Sequence, residues 1–348
     1  MLSGKKVLVV VFSYTAAYVL GVVFSTFALV MILMKTMWHG KKHFEVRERT
    51  TPPPCLLNPE LGNHAYLKLK NSKIHYVEAG DKTKPLLLLV HGFPEFWYSW
   101  RYQLQEFSPD YWVVSLDLRG YGESDKPEGI KNYSVELLVD DLKEFITGLG
   151  RDSCILVAHD WGGILAWYLT MQYPHLVDKL IILNAPHPMA FKNHLQSSFK
   201  QLCMSWYMFF FQFPKLPELL MGSNDLEIFD NILRSQIYNN VYISDEDIEA
   251  YKYTFSQPGA FTPPLNYYRN ILSKVSESPK ISKIDVPVLI VWGEKDFALD
   301  KKLADMSSDF VENCTIKIIP KVGHWVNQDN YQLVNDYMRE FLNGKGIK

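Results

Sequence analysis

Beyond residue 63 the chain alternates short apolar runs with stretches whose apolar residues recur at helical spacing. Residues 85–92 (PLLLLVHG), 111–117 (YWVVSLD), 154–160 (CILVAHD) and 179–185 (KLIILNA) are apolar without alternation. Successive side chains of a strand face opposite ways, so such runs predict central parallel strands covered on both faces. Residues 66–69 and 74–78, joined through Lys70-Asn71-Ser72-Lys73, predict a hairpin. Residues 134–149 predict a helix with Ser134 as its N-cap and Leu137, Leu138, Leu142 and Phe145 on one face. VPVLIVWGEKD and TIKIIP resume the strand pattern near the C-terminus. Alternating strands and helices predict a doubly wound, mostly parallel α/β sheet. Residues 188–281 break the alternation with a helical, aromatic- and Met-rich stretch (QLCMSWYMFFFQFP). Such an insertion predicts a cap over the C-terminal strand ends, where open α/β sheets bind ligands. The core is then residues 64–187 and 282–348, with the cap at 188–281.

The N-terminal pattern is different. Residues 7–34 carry no charge, and as a helix they would span roughly 42 Å, more than the roughly 30 Å of a bilayer's hydrocarbon core. The apolar part of a cleavable signal peptide is about 7–15 residues, so residues 1–40 predict a retained membrane anchor. Lys5 and Lys6 precede the run, whereas Lys35, Lys41, Lys42, Arg47 and Arg49 follow it, which favours a cytoplasmic globular part. The sequons Asn132-Tyr133-Ser134 and Asn313-Cys314-Thr315 would be glycosylated only in the lumen, so the side stays open. Residues 41–63 contain TTPPP, and consecutive prolines predict an extended linker.

Composition narrows the field. The chain is 47% hydrophobic and 21% charged, as in globular proteins. With 36 Lys and Arg against 38 Asp and Glu, no basic excess exists to bind nucleic acid. Cys55, Cys154, Cys203 and Cys314 are scattered without metal-site spacing and read as free thiols.

The candidate chemistry begins at HDWGG. A buried strand ends at His159, small residues (Ala158 and Gly162) flank Asp160, and a helix follows. This is the pattern of a nucleophile elbow, where serine is usual. A carboxylate facing a helix N-terminus is electrostatically favoured, although an ordinary N-cap aspartate fits there too. Asp296 follows the VLIVWG strand and His324 follows the last strand, giving the order nucleophile, acid, histidine. HGFPEFW (91–97) follows the third strand, where the backbone N–H groups of Phe93 and Trp161 would form an oxyanion hole. A carboxylate needs no deprotonation to attack, which frees His324 to activate water while Asp296 orients it. The electrophile is then an alkyl carbon of an epoxide or a carbon–halogen bond.

HGFPEFWYSWR, DLRGYGESDKP, HDWGG, WGEKD and GHW together resemble the α/β-hydrolase-fold epoxide hydrolases over about residues 64–345, and the anchor resembles that of their membrane-bound members. The resemblance implies two cap tyrosines that protonate the epoxide oxygen: Tyr207 in SWYMFFFQ and Tyr268 in PPLNYYRN. It further implies no metal or cofactor, a lipophilic substrate such as a fatty-acid epoxide, and a single-pass protein of the endoplasmic reticulum. Tyr267 adjoins Tyr268, and Tyr207 sits in an aromatic run that packing alone would explain. Two other readings stand beside this one: a haloalkane dehalogenase in which Trp161 helps to bind halide, and a catalytically silent membrane-anchored scaffold.

Overall fold

The computed structural model describes residues 21–23, 26–27, 29–38, 40–235, 243–273 and 283–344. Each predicted apolar run contains a strand of one eight-stranded sheet, ordered β1-β2-β4-β3-β5-β6-β7-β8. β1 (Asn63–Lys68) and β2 (Lys73–Ala79) form the hairpin, and β2 runs antiparallel to β4 (Trp112–Leu116). The pairings among β4, β3 (Leu86–Val90), β5 (Cys154–His159), β6 (Val177–Leu183), β7 (Val288–Gly293) and β8 (Cys314–Ile319) are all parallel. β3, β4, β5 and β7 are buried along their whole length, which is why their sequences show no alternation. This is the α/β-hydrolase architecture, a mostly parallel sheet with an antiparallel edge.

Helices cover the sheet. Val135–Gly148 starts as predicted, with the Ser134 hydroxyl accepting from the Leu137 amide at 3.4 Å. Its buried face is Leu138, Val139, Leu142, Phe145 and Ile146, so Leu137 lies at the margin. Between β6 and β7 run the helices Pro188–Ser197, Phe199–Met204, Trp206–Phe210, Leu216–Ser235, Asp245–Ser256 and Thr262–Ser273. Leu216–Ser235 is broken in its middle, where Asn224, Asp225 and Leu226 take φ of 50°, 54° and 66°.

The linker differs from the free extended spacer that TTPPP predicts. Pro54–Leu57 and Pro59–Leu61 are 3-10 turns that begin with proline, where its missing N–H is harmless. Leu56 and Leu61 are buried in the core, and this burial outweighs the extended preference of the prolines. Just upstream, the Arg49 guanidinium reaches both oxygens of Asp225 at 2.8 Å and Glu249 at 2.7 Å. The Cys55 amide donates to Glu246 at 2.9 Å. The segment is therefore a strap fastened to the inserted helices.

The predicted anchor at residues 7–34 falls mostly outside the described residues. Among the described residues, no helix is long and apolar enough to cross a membrane.

The strap makes a stability prediction. Arg49→Ala removes the buried, two-pronged partner of the partly shielded Asp225 carboxylate, leaves it only the exposed Arg47 at 3.7 Å, and should cost about 1–3 kcal/mol in urea unfolding. Arg47→Ala removes a side chain that is 74% exposed and should change stability by less than about 0.5 kcal/mol. Equal effects of the two would contradict the strap.

Candidate active site

The site is built on one crowded corner. β5 stops at His159, and Asp160 turns the chain into the helix Asp160–Gln172 with a φ of 47°. That left-handed backbone is costly for a side-chain-bearing residue and persists only where its surroundings enforce it. The enforcement is visible at the glycines. A Cβ on Gly162 would lie 2.3 Å from the Val90 carbonyl oxygen, and one on Gly163 would lie 2.3 Å from the Ala185 Cβ. A Cβ on Gly92 would lie 2.4 Å from the Asp160 Cβ. The end of β3 and the turn after β6 thus press on the helix start, and the Asp160 carboxylate stands out over the strand ends.

Four of the predicted site residues meet there. The Phe93 N–H donates to Asp160 Oδ1 at 2.8 Å. Asp160 Oδ2 lies 3.5 Å from His324 Nε2, and His324 Nδ1 lies 2.7 Å from Asp296 Oδ2. Asp296 Oδ1 accepts the amides of Ala298 and Leu299 at 2.8 and 2.9 Å. Trp161, the other predicted hole residue, heads the helix, and its ring packs edge-on against Tyr268 at 5.0 Å.

Tyr207 and Tyr268 line the same cavity as Asp160, walled otherwise by Trp161, Ile164, Phe191, Met208 and Leu299 among others. Their rings meet edge-to-face at 5.8 Å. Tyr267 is distinguished from its neighbour by its hydroxyl, which donates to the Arg119 carbonyl at 2.6 Å and is used up in that bond.

Electrostatics follow from the packing. Burial alone would raise the Asp160 carboxyl, but the hydrogen bond and charge of His324, then His159 and the Phe93 amide, hold it below the usual carboxylate range. Burial alone would lower His324, yet the Asp296 charge and the hydrogen bonds to Asp160 and Asp296 push it up to about 10. Burial, and next the Asp160 charge, raise Tyr207 and Tyr268 well above a free phenol, so both stay protonated donors.

Three supporting residues were missed by the motif reading. Asn184, at the end of β6 with φ 40°, donates to Asp296 Oδ2 at 2.6 Å and accepts the Gly293 amide at 3.0 Å. Fully buried Glu95 accepts the Gly92 amide at 2.8 Å and lies 2.7 Å from His159 Nδ1. His159 Nε2 in turn contacts the His324 carbonyl at 3.0 Å. A carboxylate inside HGFPEFW, a histidine before the nucleophile and an asparagine after a buried strand were the available signals.

Comparison with known proteins bears on the fold and the family. A family model described as alpha/beta hydrolase fold matches residues 85–331. The chain is 44% identical over 308 residues to epoxide hydrolase 1 of Caenorhabditis elegans, covering 87% of this chain and 75% of that protein. It is 42% identical over 321 residues to epoxide hydrolase 4 of Homo sapiens, covering 89% of this chain and 88% of that one. The crystal structure of Bacillus megaterium epoxide hydrolase in complex with an inhibitor matches with a TM-score of 0.75 at 32% identity, over 80% of this chain and all of that one.

The raised His324 makes a pH prediction. A histidine whose folded pKa exceeds its free value of 6.5 contributes stability that is complete below that pH and lost as pH rises through about 10. The stability difference between wild type and His324→Gln should therefore shrink between those pH values in thermal unfolding. A difference that stays constant across the window would contradict the paired imidazolium.

Proposed function

This chain belongs to the epoxide hydrolases of the α/β-hydrolase fold, and from that membership we propose that it converts lipophilic epoxides to vicinal diols through an ester on Asp160. The observation that carries the reading is the Asp160 carboxylate, which shares a cavity with two phenols and stands 3.5 Å from His324. Asp160 Oδ2 attacks an epoxide carbon, forming a carbon–oxygen bond as the ring carbon–oxygen bond breaks. The ring oxygen takes a proton from Tyr207 or Tyr268, which a water later restores. Either phenol is a weak acid here, well matched to a strongly basic alkoxide and poorly matched to halide, which leaves without a proton. Asp160 Oδ1 meanwhile rests on the Phe93 amide.

Esterification removes the Asp160 charge. His324 then loses one of the two carboxylates that hold its proton, and its basicity falls toward the range of a working general base. It releases its resting proton to solvent, then as the neutral imidazole takes a proton from the attacking water, whose hydroxide adds to the Asp160 carbonyl carbon. The oxyanion forms at Oδ1, where the Phe93 N–H already donates and the Trp161 N–H joins it. Collapse expels the diol oxygen, which is protonated from His324, and leaves one water oxygen in the carboxylate.

The cavity walls favour an apolar chain beside the epoxide, and a fatty-acid epoxide suits them. Residues 188–281 serve as the cap. The uncharged run at 7–34 would hold the enzyme at a membrane of the endoplasmic reticulum, where such substrates partition.

Single turnover in 18O-labelled water should place one heavy oxygen in the Asp160 carboxylate and none in the first diol released. Label in the diol with an unlabelled enzyme would exclude the ester. Tyr207→Phe and Tyr268→Phe should each lower kcat by about 10–100-fold, and the double change by about 1,000-fold or more. Unchanged kcat in the double variant would remove the tyrosines from the chemistry.

A further inference from the structure

At the β1–β2 hairpin stand two histidines, His64 and His75, that the proposed reaction does not use. Their hydrogen bonds contain a conflict. The His64 Nε2 lies 2.9 Å from the Leu56 carbonyl oxygen, which can only accept, so that nitrogen carries a proton. The His75 Nδ1 lies 2.7 Å from Asp117 Oδ2. Asp117 Oδ1 accepts the Trp97 amide and Oδ2 accepts the Glu123 amide, so this carboxylate meets its neighbours as an acceptor. His75 Nδ1 therefore carries its proton as well. The two nitrogens left over, His64 Nδ1 and His75 Nε2, both present lone pairs in the neutral imidazoles, and they face each other at 2.9 Å. Something electrophilic belongs between them.

We propose that His64, His75 and Glu123 form a binding site for a divalent transition-metal ion of the zinc class. One ligand atom from each of the three lies within 4.8 Å of the others. Zinc–nitrogen bonds of about 2.0–2.1 Å let two donors at this separation share one ion at an angle of about 90°, and opening toward tetrahedral needs only a few tenths of an ångström. His64 is at the exposed rim and can supply that shift. Two imidazoles and one carboxylate suit zinc better than the oxygen-seeking calcium or magnesium. A dication beside the Asp117 and Glu123 carboxylates leaves the cluster formally neutral.

The surroundings are those of a metal site. Each histidine donates its far N–H to an oxygen, one to a carboxylate and one to a carbonyl, which fixes the ligating tautomer. The same Asp117 Oδ2 accepts the Glu123 amide at 3.1 Å, so one buried carboxylate positions the loop that carries the third ligand. Ser124 strengthens the arrangement by accepting the His75 amide at 2.9 Å. Glu123 also accepts from the Tyr66 hydroxyl. On its other side Asp117 Oδ1 accepts the Trp97 amide at 2.8 Å, which ties the site to the segment that carries Phe93.

The test is titration of the purified full-length chain with zinc ion alone, followed by calorimetry and thermal unfolding, and with cobalt(II) as a visible-absorption probe. One equivalent should bind with a dissociation constant of about micromolar or tighter, raise Tm and give a cobalt spectrum of four- or five-coordination. His64→Gln should weaken binding at least about 10-fold while unfolding at the wild-type temperature without metal, Glu123→Gln should weaken it less, and Cys203→Ser should leave it unchanged. Binding that is unaffected by both His64→Gln and Glu123→Gln overturns the proposal. So does nitrogen NMR showing a proton on His64 Nδ1 at saturating zinc, since a shared proton would then explain the short contact. None of these readouts uses epoxide turnover, so the site stands or falls independently of the reaction.

Discussion

The close approach of the β3 end to the first turn of the helix after β5 is the constraint on which the site depends. With no side chain at Gly162, the Val90 and His91 carbonyls can lie against the helix, and Asp160 is driven into a left-handed backbone. The candidate catalytic groups are then aimed at one point from separate strand ends: the Phe93 amide after β3, Asp160 after β5, Asp296 after β7 and His324 after β8. Asn184, after β6, locks the Asp296 carboxylate from behind. A parallel sheet gathers such residues because all its strands end on one side.

The second organising effect is the changing charge around one imidazole. In the resting site His324 lies between two carboxylates and is held protonated. In the reaction proposed above, the same proximity that makes it a poor base at rest would make it a responsive one, because an ester on Asp160 neutralises one neighbour. Water activation would thereby be coupled to the arrival of substrate. The phenols respond the other way, since loss of the Asp160 charge eases deprotonation of both. One neutralisation thus tunes acid and base in succession.

Much of this was legible in sequence because the signals were local. Unalternating apolar runs gave away buried strands, and small residues around Asp160 gave away the corner. The linker was misread because TTPPP speaks only of backbone preference, whereas Leu56, Leu61 and Arg49 find partners that are distant in sequence. Asn184 and Glu95 escaped for the same reason: their roles are set by contacts with Asp296 and His159 that no spacing encodes. Adjacent tyrosines 267 and 268 looked equivalent until helix geometry turned them to different faces. One is bonded to the Arg119 carbonyl, and the other opens on the cavity.

That difference has a mechanical consequence. Arg119 is itself gripped by Asp141 through two hydrogen bonds of 2.6 Å, and Asn270 reaches the Ile130 carbonyl at 3.0 Å. The helix Thr262–Ser273 is consequently riveted to the sheet's own covering layer, and Tyr268 rides on it as a fixed jaw. Tyr207 sits on the five-residue helix Trp206–Phe210, which is edged by the exposed Trp206. That jaw also holds its opposite, because Arg269 donates to the Phe211 and Phe213 carbonyls and Gln212 donates to the Tyr268 carbonyl, so the two phenols keep a common spacing.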